Sequence, residues 1–544
     1  MTDTAASTGP APTGAEADEI PGSLPPSDGS RRRAAGRLFR PTPYRIVGLL
    51  FFLFMLPICA RLPWSGDIGQ HASTIWRLRE NLAHPTSPMV DLPGNGSPYF
   101  SPYQVFGALV SRATGLVPLK TLHLLAVMNV LLVLAGIGAF TRALTTRRWA
   151  PVLVLACYFF LWGTDVRVWS GFESFISFSL GVSFPSAFAA GLMLLVWAAA
   201  LRLLGRVPGT RPLNLSPLLR VCAHLALGAV FFVVLLSHPF TGIVMALGLL
   251  GILAGSLRAF TLRDWLFWVL SGAVVLAGAA VWPYWSLFSL QQSAALDTMH
   301  RHLYMQPLNW FGFAVLLGVP ALVMRFRRDR LDPLVMTFLL VGATVFYGWA
   351  SGHYSWGRAY PGALMMLQFA VALELVRVPR SQWFRRELSL IATGVLLVGV
   401  WVQSGAAFYI VPKSQWPKAV VKNVQAWDTW AGFQWTDAYL KYGDVVMTKG
   451  TRPLSMLAAY GYFTVEAGYP DPAIPLGVLE ERGADTNAFF AEGTTEAEQV
   501  RLMEKYHATW VLISPADGEV PTGSAFQEVA RSPQGEVLLK LVHA

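Results

Sequence analysis

The chain has 544 residues, of which 54% are hydrophobic and only 14% charged. A soluble globular chain carries about a quarter charged residues, so this one has too little polar surface to stay in water and reads as a polytopic membrane protein. The net charge of +10 joins unlike parts: residues 1–411 hold 31 Lys and Arg against 16 Asp and Glu, whereas residues 412–544 hold 11 against 16. The Arg residues are scattered between apolar spans rather than gathered into one stripe, which argues against nucleic acid as a partner.

Residues 1–40 are rich in Ala, Ser, Thr, Pro and Gly without apolar periodicity, and they read as a disordered cytoplasmic tail closed by Arg31, Arg32, Arg33, Arg37 and Arg40. The first apolar run, about Arg45 to Pro63, is short, but Arg45 and Arg61 can snorkel to the two interfaces. A cleaved secretory signal is not expected, because a long polar stretch precedes the run and Arg61-Leu62-Pro63-Trp64 is no small-residue cleavage site. Ten further spans centre near residues 130, 157, 195, 228, 249, 275, 316, 341, 368 and 400, which makes about 11 transmembrane helices over residues 41–411. Pro102 to Thr114 is shorter and reads as a re-entrant or interfacial helix. Cys59, Cys157 and Cys222 all fall in apolar spans and form neither a disulfide framework nor a metal motif.

Orientation follows from the positive charges. With the N-terminus inside, the cytoplasmic segments up to residue 411 hold 23 basic residues and the opposite loops 8. The cytoplasmic turns are short and Arg-rich; the outer loops 62–118, 164–184, 287–308 and 351–360 are longer and aromatic. Long loops that are not simply polar tend to carry function, so the site is expected on the outer face. An odd number of spans then places residues 412–544 outside.

That tail opens with Trp416, Trp427, Trp430 and Trp435, which suit the membrane interface. Beyond them Asp444 to Thr448 predicts a strand, Pro453 to Tyr460 a helix, Thr495-x-x-Glu498 a capping box for a helix to about Tyr506, and Thr509 to Ser514 and Glu536 to Val542 two strands. The expectation is a small external α/β domain.

The first outer loop, 62–118, is the richest segment for chemistry. Asp67 follows the first span within a few residues, and His71 lies four residues on, so both can face the same way on a helix. Asp67 can cap that helix or act as a general base towards an acceptor hydroxyl. Asp67 and His71 could also supply two metal ligands, but no third ligand stands at a fixed spacing. Arg358, in Trp349-Ala350-Ser351-Gly352-His353-Tyr354-Ser355-Trp356-Gly357-Arg358, runs against the charge bias of its face. It can grip a lipid phosphate or pyrophosphate bidentately, or snorkel to headgroups. His300 and His302 form a polar cluster in the loop 287–308, suited to headgroup or substrate contact, whereas His238-Pro239-Phe240 reads as a structural turn. Asp91, Asp165 and Glu173 are candidates for a second carboxylate. No span carries a carboxylate or Arg near its middle, which argues against ion-coupled transport. No P-loop occurs, so the energy must come with the substrate.

This layout resembles the integral-membrane glycosyltransferases of the GT-C fold: many spans, a long first outer loop with an acidic residue just after span one, and an external C-terminal domain. The resemblance covers most of residues 40–544, and the tail, with "DVVMTKG", "LSMLAAYGYFTVEAG" and "LMEKYHATWVLIS", is also similar to bacterial GT-C-like proteins. It implies a polyprenyl-phosphate-linked sugar as donor, membrane lipids around it, a glycan, lipid or protein acceptor, and a bacterial inner membrane. Asp67 then matches the catalytic Asp. Arg358 matches a phosphate-holding Arg by position, with His353, His300 and His302 as helpers. Trp64, Tyr99 and Tyr103 would stack on sugar rings, with His71 and Tyr354 as further substrate contacts. Many members carry adjacent acidic residues in this loop, whereas Asp67 is followed by Ile68, so a second carboxylate and a divalent metal stay open. Two other classes compete. A ligase or polymerase of the O-antigen type would lean on Arg358 and His353 rather than Asp67. A non-enzymatic lipid-carrier transporter or scaffold would survive loss of every outer acidic residue.

Overall fold

In the computed structural model the described residues are 41–94, 96–210, 213–289, 294–377 and 382–542. The expected tail over residues 1–40 lies outside them. The membrane part contains α1 (Pro43–Arg61), α2 (Ile68–Glu80), α3 (Pro102–Thr114), α4 (Pro118–Leu144), α5 (Ala150–Phe160), α6 (Phe175–Leu180), α7 (Pro185–Leu203) and α8 (Pro217–Ser237). It continues with α9 (Pro239–Ala254), α10 (Leu262–Val281), α11 (Ala294–His300), α12 (Pro307–Arg328), α13 (Pro333–Ser351), α14 (Tyr360–Leu375) and α15 (Gln382–Gln403). Eight described helices are long and apolar enough to cross a bilayer; α5, α9 and α14 fall at the other three expected spans but have only 11, 16 and 16 residues. The segment read as interfacial is the helix α3.

The helix starts are written in the sequence. Proline occupies the first turn of α1, α3, α8 and α13, and Thr42, Ser101, Ser216 and Asp332 cap them by accepting backbone N–H bonds. The outer helices turn apolar side chains such as Leu49, Leu50 and Leu53 outward, the surface a lipid solvent requires. At the centre α4 and α7 pack closely because Gly136 and Gly191 face each other's backbones: a Cβ on Gly136 would come within 2.6 Å of the Gly191 carbonyl oxygen.

The C-terminal region is a five-stranded sheet with helices: β1 (Val445–Thr448), β2 (Phe463–Thr464), β3 (Trp510–Ile513), β4 (Phe526–Arg531) and β5 (Val537–Leu541), in the order β2-β1-β3-β5-β4. β1 is parallel to β2 and β3, and β5 is antiparallel to β3 and β4. Four helices, α16 (Lys418–Asn423), α17 (Thr451–Met456), α18 (Leu476–Phe489) and α19 (Glu496–Lys505), complete it. Three strands and α19 fall where the pattern put them. The helix expected over Pro453 to Tyr460 is α17 running into a 3-10 turn, Leu457–Tyr460.

This region is seated on the loop 62–118. Arg77 of α2 is fully buried and donates to the carbonyls of Gly461 (2.9 Å), Tyr462 (2.6 Å) and Pro88 (3.3 Å), with its guanidinium 3.6 Å from the centre of the Phe463 ring. Trp76 donates to the Ala459 carbonyl at 2.9 Å, and Ser97 Oγ donates to Asp471 Oδ2 at 2.7 Å. Gly69 leaves no room for a side chain, since a Cβ there would lie 1.7 Å from the Ser455 carbonyl oxygen. The start of α2, and Asp67 with it, is therefore set by the C-terminal domain as much as by span one.

Candidate active site

Between the membrane helices and this domain lies a half-open cavity of about 390 Å³. Asp67 is on its wall, at the N-cap position of α2, yet its carboxylate makes no capping bond. The side chain is turned instead to the cavity, where the Tyr469 hydroxyl hydrogen-bonds to it. Burial pushes the carboxyl above its ordinary proton affinity, opposed by the nearby positive charge of Arg358 and by the Tyr469 bond. Asp67 and Arg358 line one cavity and feel each other's charge, and among the ion pairs of the described residues none joins them directly.

Arg358 lies in the 3-10 turn Tyr354–Ala359 that links α13 to α14. Nη2 donates to the Ser170 carbonyl at 3.2 Å and to His238 Nε2 at 3.1 Å; Nη1 approaches His300 Nε2 at 3.4 Å. The guanidinium lies 4.9 Å from the centre of the Phe240 ring. An Arg only donates, so both imidazoles must offer a lone pair at Nε2. His238 Nδ1 lies 2.8 Å from Thr241 Oγ1 and 3.3 Å from the Thr241 backbone nitrogen, and His300 Nδ1 lies 3.2 Å from Ser355 Oγ. Burial and the charge of Arg358 hold His238 well below the ordinary imidazole range, so it is neutral. Burial lowers Arg358 to about 10, partly opposed by Asp67, so the guanidinium stays charged at neutral pH. Arg358 Nε is buried and has no partner among the described residues. The result is an oriented cation with donor capacity left for an anion.

The other candidate residues divide. Tyr99 and Glu173 line the cavity with Asp67, Arg358 and His300. His71 does not reach it: the ring is buried, Nδ1 accepts from Gln104 Nε2 at 2.8 Å, and burial lowers it to about 3. It is a neutral buried residue whose Nε2 has no partner among the described residues, and it stands off the cavity wall that carries Asp67. Tyr103, 0% exposed, donates to the Ser183 carbonyl at 2.7 Å, so no face is open to a sugar. The Trp64 ring stacks on Tyr460 (6.0 Å between centres) outside the cavity wall. Tyr354 packs on Tyr304 (5.6 Å). His353 is held 3.3 Å from Asp297 Oδ2, whose other oxygen takes the Ser355 N–H at 2.9 Å, so it stands behind His300 rather than at the cavity. His302 is exposed, its Nδ1 3.1 Å from Met305 Sδ. Asp91 is exposed and Asp165 half-buried, and neither lines the cavity. Among the described residues no three His, Cys, Asp or Glu side chains gather to hold a metal. The donor set does not fit a divalent cation, and no step below uses one.

Sequence reasoning missed His238, which it read as a turn, and Tyr469, Trp427 and Trp430, which the C-terminal region contributes to the wall. The available signal was a His at the turn between two spans, at the same end of the helices as Arg358. Nothing local marked Tyr469, which meets Asp67 only through the domain seating.

No known sequence family matches the chain, and no curated protein matches it. Solved structures do. ArnT from Cupriavidus metallidurans in the apo state aligns over 94% of this chain and 98% of its own, at 14% identity and a TM-score of 0.54. The same protein bound to undecaprenyl phosphate aligns over 92% and 98%, at 15% identity and a TM-score of 0.52. The oligosaccharyltransferase of Archaeoglobus fulgidus tethered to an acceptor peptide aligns over 86% of this chain and 68% of its own, at 14% identity and a TM-score of 0.50. The chain therefore has the GT-C glycosyltransferase fold, a polytopic helical membrane protein with a small C-terminal sheet domain.

Proposed function

We propose that this protein is a membrane glycosyltransferase that moves a sugar from a polyprenyl-phosphate donor to a glycan, lipid or protein acceptor on the outer face of the membrane. The observation that carries this reading is Asp67 and Arg358 on one cavity beside the membrane helices, the carboxylate uncapped and the guanidinium with donor capacity to spare. The structures bearing this fold are of a protein bound to undecaprenyl phosphate and a protein tethered to an acceptor peptide, which supports a lipid-borne donor and a separate acceptor. The charge bias of the loops supports an N-terminus in the cytoplasm, residues 41–411 as the membrane domain and residues 412–544 outside, in a bacterial inner membrane.

The chemistry follows from the two charges. The acceptor oxygen attacks the anomeric carbon as the bond from that carbon to the phosphate oxygen breaks, and the bonding pair leaves with the phosphate. Arg358 faces the charge that grows there, oriented by Ser170, His238 and His300. Asp67 takes the acceptor proton; burial makes it a stronger base than a solvated carboxylate, while Arg358 and Tyr469 favour its ionised form. A single in-line displacement of this kind inverts the anomeric centre.

The test is transfer in vitro from a panel of undecaprenyl-phosphate sugars. Asp67→Asn should abolish transfer and keep donor binding, whereas Arg358→Ala should weaken donor turnover. Wild-type transfer by Asp67→Asn refutes the assignment. If only Arg358 and His353 variants lose activity, the ligase-type reading stands instead.

A further inference from the structure

Glu173 is 4% exposed, lines the cavity, and its Oε2 has no hydrogen-bond partner among the described residues. A buried polar atom without a partner is costly, and a fold keeps such an atom where something else supplies the bond. The hydroxyl of Tyr158, near enough for Glu173 to act on it electrostatically, is buried and unpartnered as well. The backbone segment that carries Glu173 is held by the Trp169 N–H bond to Ser177 Oγ (3.2 Å), by Ser177 Oγ donating back to the Trp169 carbonyl (3.1 Å), and by the Ile176 N–H bond to Gln403 Oε1 (3.0 Å).

Resting on the transferase reading above, we propose that Glu173 is a specificity-determining residue whose carboxyl group recognises hydroxyl groups of the transferred sugar. A protonated carboxyl offers one donor and one acceptor on a short fork, which matches a hydroxyl pair of a neutral sugar. Burial raises this group to about 8, so it is protonated at neutral pH. Of the titratable groups around it, Tyr158 stands beside it, and Asp67, Tyr99, His300, Arg358 and Tyr469 share the cavity. None of them is among the causes of its shift, which is burial alone. Glu173 thus differs from Asp67: it holds its proton and binds, whereas Asp67 accepts one.

The experiment compares binding of undecaprenyl-phosphate-linked hexoses and pentoses with binding of sugar-free undecaprenyl phosphate, using full-length protein in nanodiscs. Glu173→Leu should weaken the best sugar-bearing lipid about tenfold and leave the sugar-free lipid unchanged. Glu173→Gln, which keeps a donor and an acceptor on the same fork, should stay within about threefold of wild type. Raising the pH from 7 to 9.5 should weaken wild-type binding more than tenfold, because the group ionises above about 8, and should not do so for Glu173→Gln. The inference fails alone if wild type binds a sugar-bearing lipid and Glu173→Leu binds it equally well, or if both variants lose sugar-bearing and sugar-free lipid alike. A wild-type protein that binds no polyprenyl-phosphate sugar overturns the transferase reading as well.

Discussion

Gly69→Ala is a small change with a large expected effect. The added Cβ would stand 1.7 Å from the Ser455 carbonyl oxygen and 2.8 Å from its carbon, and real Cβ contacts essentially never fall under 3.0 Å. Both obstructing atoms are backbone, so no side chain can rotate away. Helix α2 and the C-terminal domain must part by roughly 1 Å, an overpacking strain of about 1–3 kcal/mol. Asp67 lies two residues before Gly69 and Tyr469 across the gap, so the same movement stretches their hydrogen bond. A displacement of about 1 Å at a reacting group costs about a hundredfold in rate. The variant should therefore show a lowered melting temperature and sugar transfer reduced about a hundredfold, with sugar-free undecaprenyl phosphate still bound through Arg358. Gly477→Ala, in α18 with nothing within 4 Å of the new Cβ, is the control. It should leave activity intact and stabilise slightly, by about 0.5–1 kcal/mol. If Gly69→Ala matches wild type in both stability and rate, the seating of α2 does not set the position of Asp67.

Four further outcomes follow from the same geometry. Burial raises Asp67, so transfer should fall off on the acid side at a higher pH than an ordinary carboxylate would give. Tyr469→Phe removes a bond that favours the ionised form and should move that acid limb further up, so activity at pH 6 drops more than at pH 8. Arg77→Ala leaves three carbonyls that it now satisfies without a partner and should cost about 3 kcal/mol or more, read as a lowered melting temperature. Arg358→Lys keeps the charge but cannot serve Ser170, His238 and His300 in one plane, so binding of undecaprenyl phosphate should weaken about tenfold.

The membrane architecture was legible because a bilayer imposes one strong rule, that apolar helices must satisfy their own backbone, and proline starts and hydroxyl or carboxylate caps mark where they begin. The strands β2 and β4 were not legible. β2 has two residues, and β4, Phe-Gln-Glu-Val-Ala-Arg, is an edge strand with mostly half-exposed or exposed side chains. Asp67 and Arg358 could be singled out because each departs from its surroundings, one an acid just past a span, the other a cation on the poorly charged face. Tyr103 and His71 sit within a few residues of Asp67 or on the same loop, and proximity in sequence misled: helical geometry turns both into the core. His238 and Tyr469 lie 171 and 402 positions from Asp67, so only the folded chain brings the one to Arg358 and the other to the cavity wall.

The most direct measurement is a structure of Asp67→Asn in nanodiscs with its undecaprenyl-phosphate sugar trapped before transfer. The donor phosphate should lie within hydrogen-bond reach of the Arg358 guanidinium, with the anomeric carbon turned towards residue 67. A donor phosphate bound away from Arg358, or a sugar placed where residue 67 cannot reach an attacking acceptor, contradicts the account.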